Sequence, residues 1–130
     1  MSSELSILAI YGLLVVVTVL LNVLTALPQV GLMTLGGPRD TMPPLQGAAA
    51  RVSRTLENSV VAMALFAPAV LLLAVQEAFT PTTLLAAQIF LVARIAYVPI
   101  YVLGISVPFL RTLVWMAGFL ASAYLLFAAI

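Results

Sequence analysis

Seven side chains have the type and spacing to hold a ligand, and all lie on or beside apolar segments. Arg94, Tyr97 and Tyr101 fall at offsets 0, 3 and 7, which puts one guanidinium and two phenols along one stripe of a helix. Arg51, Arg54 and Asn58 repeat that spacing, and Arg111 is the seventh. Such a set supplies positive charge and hydrogen-bond donors, so its natural chemistry is to line a polar pocket for an anion. Metal and thiolate chemistry have little to work with. The chain has no histidine and no cysteine, the commonest metal ligand and the usual soft one. Any reaction must use Arg, Tyr, Asn, Ser/Thr, the four carboxylates or a bound cofactor.

Each stripe also has a plainer reading. An arginine in the middle of a membrane helix costs about 2.5–3.5 kcal/mol, and a carboxylate partner inside the bundle would explain Arg94 without a ligand. Arg51 and Arg54 read equally well as a snorkelling helix end, with Glu57 paired to Arg54 at i+3. Asn58 sits a turn deeper, where its amide requires a partner on another helix or a ligand. Tyr97 and Tyr101 also suit the aromatic belt of a membrane interface.

The elements that carry these residues are membrane spans. Of 130 residues, 65% are hydrophobic and 7% charged, against about 25% charged in ordinary soluble domains. Nine formal charges with a net of +1 cannot cover a soluble globule or steer a polyanion, which excludes a soluble enzyme and a nucleic-acid binder. Four apolar runs, at about 5–27, 56–75, 84–103 and 110–129, each approach the ~20 residues that cross a bilayer. The first lacks the basic start and short core of a signal peptide; Pro28 is expected to stop it. The second is preceded by polar helical turns from about Gly47. The first loop, 28–47, is rich in Gly and Pro and is expected to turn rather than to form a helix. The two later links are short, so consecutive helices are antiparallel neighbours. The expectation is a single all-α domain, an integral membrane four-helix bundle of up-down topology. Arg39, Arg51, Arg54 and Arg111 flank loops one and three, whereas the opposite end carries Glu4 and Glu77. The positive-inside rule therefore puts these loops in the cytoplasm and both termini outside.

Several segments in order resemble the MAPEG family (membrane-associated proteins in eicosanoid and glutathione metabolism), particularly its short bacterial members. They are Gly37-Pro-Arg-Asp40, the run from Arg51 through Arg54 to Asn58, the run from Ala93 and Arg94 through Tyr97 to Tyr101, and Pro108-Phe-Leu-Arg111. The resemblance implies a homotrimer in a bacterial inner membrane, with glutathione held between subunits near the cytoplasmic side. It implies that Arg54, Asn58, Arg94, Tyr97 and Tyr101 match ligand-binding positions and that Arg111 matches the arginine that helps to ionise the thiol. Arg51 joins the binding set through its stripe, Tyr101 would donate a hydrogen bond, and the acceptor would be lipophilic.

The chain departs from the family pattern at two places. Val61 stands where glutathione-binding members carry a glutamate, and Glu57 stands where the eicosanoid enzymes are often basic. These departures keep a second reading open: a non-catalytic trimer whose polar cleft is structural or holds a lipid headgroup or another anion. A small proton-coupled exporter is a third reading, but the first span lacks the embedded carboxylate that such exporters need.

Overall fold

The computed structural model describes residues 3–40 and 42–130; residues 1, 2 and 41, the last within the first connection, lie outside the described part. Among the described residues five helices occur in order: α1 Glu4–Val30, α2 Leu32–Gly36, α3 Gly47–Val75, α4 Pro81–Val102 and α5 Leu110–Ala128. Four are long and apolar enough to cross a membrane. Even α5, with 19 residues, spans about 28 Å at 1.5 Å per residue.

Local chemistry explains the boundaries, and two differ from expectation. Pro28 does not end α1, which continues to Val30. Proline's fixed φ is compatible with a helix and its main loss is one N–H. The stop comes at Gly31, whose φ of 83° leaves the helical region while its N–H still bonds the Leu27 carbonyl at 2.9 Å. The first connection is not wholly turn-like either. Between Gly31 and Gly37, a stretch free of proline closes the single-turn helix α2. At its start, α4 gains a turn over the apolar run because Thr80 and Thr83 form a reciprocal capping box with Pro81 in the first turn.

Contacts at the helix ends define the topology. Gln29, near the end of α1, bonds the backbone of Gln46 just before α3, so α1 and α3 run antiparallel. Arg51 in α3 reaches the Val102 carbonyl at the end of α4, which makes α3 and α4 antiparallel too. The Thr83 hydroxyl donates to Glu4 Oε2 at 2.8 Å, aligning the starts of α1 and α4. Gln76 donates to the Ala129 carbonyl, aligning the ends of α3 and α5. Both termini therefore share one end of the bundle. The first connection and the α4–α5 link share the other, with Arg39, Arg51, Arg54 and Arg111. The chain is an all-α membrane bundle of up-down topology.

Around the bundle, α1 packs on α3, α3 on α5, α5 on α4 and α4 on α1, and α3 also meets α4 across the centre. The core is built around Phe66 and Phe90, stacked at 3.9 Å, with Tyr11 set edge-on to both. The outer faces expose Leu13, Val16, Leu20 and Leu24 on α1 and many like residues elsewhere. That pattern suits hydrocarbon as solvent.

Candidate functional site

The site begins with a buried charge. Arg94 lies eight residues before the end of α4, about 12 Å along the helix axis, and is only 2% exposed. Its Nη1 donates to Asn58 Oδ1 at 2.7 Å, and its Nη2 donates to Ser59 Oγ at 3.1 Å. The guanidinium carbon stands 4.4 Å from the Tyr97 ring centre, a cation–π distance. Nε is buried and bonds nothing. The carboxylate partner that would have explained Arg94 is therefore absent; a neutral amide and a hydroxyl take its place. The reason is geometric. The α3 residues that face Arg94 are Asn58 and Ser59, while Glu57, one step round the helix, is exposed. Among the described residues no arginine forms an ion pair, and the expected Arg54–Glu57 pair does not form.

Arg54 instead reaches across to α4, where its Nε donates to the Tyr101 hydroxyl at 2.9 Å. Arg111, in the first turn of α5, holds its guanidinium 4.7 Å from the centre of the same ring. Phe109, with φ 63°, turns the chain into α5 just before it. Tyr101 is thus flanked by two guanidinium groups from different helices. Because Arg54 is a donor only, the bond uses an oxygen lone pair of Tyr101 and leaves the phenolic proton available. Arg51 donates to the Val102 carbonyl at 2.9 Å, satisfying one of the unpaired carbonyls at the end of α4. Gly104, at φ 66°, lies against it; a Cβ there would stand 3.4 Å from the guanidinium.

Three adjoining cavities connect these groups. The outermost, about 390 Å³, is walled by Arg51, Arg54, Tyr101, Arg111 and the 104–109 link. It shares Arg111 and Thr112 with a second cavity of about 220 Å³ that also touches Asn58, Tyr97 and Trp115. That one shares Asn58 and Trp115 with an inner cavity of about 120 Å³, walled by Val61, Leu65, Arg94 and Phe119 among others. The result is a cleft along α3 and α5, cationic at its mouth and largely apolar inside. All seven side chains singled out by type and spacing border it. Val61, 59% exposed, is on its inner wall.

Other contributors carry weaker signals in the chain. Ser59 holds Arg94 through its hydroxyl and accepts the Tyr11 hydroxyl at 2.7 Å through its carbonyl. A serine beside Asn58 was the only hint of this. Trp115 and Phe119, stacked at 5.1 Å, read in the sequence as ordinary span aromatics. Gly118 faces Arg94 from α5; a Cβ there would lie 3.6 Å from Arg94 Cδ, an ordinary contact distance.

Among the described residues the lining includes four arginines and no aspartate or glutamate. Such a cleft can seat an anionic head at its mouth and an apolar group farther in. No curated protein sequence and no solved structure matches the chain. Residues 7–130 match the MAPEG family model, and with that match over nearly its whole length the chain belongs to the MAPEG family, as an integral membrane protein.

Proposed function

We propose that this protein is a glutathione-dependent transferase or peroxidase acting on a lipophilic acceptor. The observation that supports this is the Tyr101 hydroxyl and ring held between Arg54 and Arg111, beside an open cavity and with no carboxylate to neutralise either cation. A thiol of the cysteine type has a pKa near 8.5, so only a few per cent is thiolate at neutral pH. Arg111 stabilises the thiolate; each unit of depression takes about 1.4 kcal/mol of preference for the anion. Tyr101 donates a hydrogen bond from its free O–H to the thiolate sulfur, while Arg51, Arg54 and Asn58 anchor carboxylates and amides. Arg94 and Tyr97 complete the inner wall. The acceptor enters from the bilayer along Val61, Leu65 and Phe119. In the transferase reaction, the thiolate sulfur attacks the acceptor's electrophilic carbon. A carbon–sulfur bond forms as the bond from that carbon to its leaving group breaks, and the leaving group departs as an anion with the electron pair.

On this reading the chain is one four-helix transmembrane domain that works as a homotrimer in a bacterial inner membrane. The arginine-rich end faces the cytoplasm, the source of the thiol. Equilibrium binding of glutathione to the purified protein in phosphatidylcholine nanodiscs tests the proposal. Binding in the millimolar range or tighter, weakened by Arg111→Ala, is expected; no binding to the unaltered protein at millimolar concentration rejects it. Val61 in the cleft wall favours a second reading, a non-catalytic trimer whose cleft holds an anionic lipid headgroup. Native mass spectrometry that finds such a lipid retained, and not displaced by glutathione, would select it.

A further inference from the structure

The cleft also bears on what kind of thiol it admits, an inference that rests on the proposed thiol chemistry. Its charged lining is of one sign: Arg51, Arg54 and Arg111 at the mouth and Arg94 within. The one side-chain amide on the wall is Asn58, and its Oδ1 already accepts from Arg94 at 2.7 Å. What Asn58 offers a ligand is therefore its NH₂ group, a further donor. Tyr101 likewise gives a lone pair to Arg54 and keeps its proton to donate. The remaining side-chain acceptors are neutral hydroxyls, Tyr97, Ser106, Thr112 and Ser122. Glu57 is exposed and borders none of the three cavities, and Asp40 lies in the first connection.

An ammonium ion brought into this lining meets like charge and finds no carboxylate on the protomer's own walls. Guanidinium groups cannot relieve this by losing a proton, since they stay charged at every accessible pH. We infer that this lining favours the carboxylates of a thiol ligand and penalises its free ammonium group, so that glutathione binds, but less tightly than a thiol without that group. Arg94 acts here as a positioning residue: by occupying Asn58 Oδ1 it fixes which face of that amide a ligand meets.

The test compares glutathione with its des-amino analogue, glutaryl-cysteinyl-glycine, which differs only by the ammonium group. Binding is measured on the full-length protein in phosphatidylcholine nanodiscs. The analogue is expected to bind about tenfold more tightly, a difference of about 1.4 kcal/mol. Val61→Glu, at an exposed position on the inner wall, should reverse the order by supplying a carboxylate. Equal affinities, or tighter binding of glutathione, would overturn this inference and leave the thiol chemistry standing. Failure of both compounds to bind at millimolar concentration would overturn the two together.

Discussion

Removing the partners of Arg94 should hurt the fold more than removing Arg94 as well. Asn58→Ala deletes a 2.7 Å bond and Ser59→Ala a 3.1 Å bond, both to the same buried guanidinium. Hydrogen bonds to charged groups contribute about 1.5–3 kcal/mol each. Because both end on one group, the double variant need not show a simple sum. It leaves a buried charge whose remaining neighbours are the Tyr97 face and the Tyr11 hydroxyl, on top of a Nε that already bonds nothing. Stranding a buried charge costs about 3–5 kcal/mol. Adding Arg94→Met removes the charge, its orphaned N–H groups and their desolvation, and keeps an unbranched apolar stem in the space. The triple variant should regain at least about 2 kcal/mol of that loss, since replacing a whole buried polar set by apolar groups is often close to neutral. Unfolding in mixed micelles at fixed protein concentration, followed by fluorescence of the single tryptophan, Trp115, measures each variant. A triple variant as unstable as the double, or more so, would refute the view that Arg94 is a charge its surroundings merely tolerate.

Three further outcomes follow from single contacts. Tyr11→Phe deletes the 2.7 Å bond to the Ser59 carbonyl in a fully buried ring and should cost about 1 kcal/mol in the same unfolding assay. Gly104→Ala forces a side chain to adopt φ 66° with its Cβ 3.4 Å from Arg51; a loss of about 1–2 kcal/mol is expected from the backbone alone, along with weaker ligand binding at the mouth. Gly118→Ala should be neutral or stabilising by up to about 1 kcal/mol, because its Cβ would meet Arg94, Ala93 and Phe90 at 3.6–3.9 Å, ordinary contact distances. A clear destabilisation would mean that α5 cannot give even slightly beside Arg94.

What could be read from the chain divides along the range of the interaction. Apolar runs located four helices because crossing hydrocarbon is a demand on local composition. Offsets 0, 3 and 7 put Arg94, Tyr97 and Tyr101 on one stripe because helix periodicity is local too. Pro28 misled because a proline penalises a helix without forbidding it, and the decisive residue was Gly31 with its positive φ. Partners across helices were not legible. Proximity in sequence paired Arg54 with Glu57, whereas the fold pairs it with Tyr101, 47 residues away. Composition suggested a carboxylate for Arg94, and the fold supplied Asn58 and Ser59 from 36 and 35 residues away. Trp115 and Thr112 border the cleft, yet nothing in their local spacing separates them from residues that face lipid.

The difference between the arginines follows from their depth. At the mouth, Arg54 and Arg111 gather on Tyr101, where exposure to water and salt makes an unpaired cation inexpensive. Such groups can exchange water for an anion with little change in the fold. Arg94 is in a different position: it is buried, and both of its Nη groups are engaged by α3. Its bonds tie α3 to α4 beside the inner cavity, and they orient the Asn58 amide that both inner cavities share. A polar head that moved from the mouth to this depth would lose its hydration and meet only the Asn58 NH₂ group, the Ser122 hydroxyl and a guanidinium whose two Nη atoms are already bonded to α3. The proposed ligand therefore leaves its charged end among the outer arginines, and the groove between Trp115, Phe119 and Val61 is left to the apolar reactant.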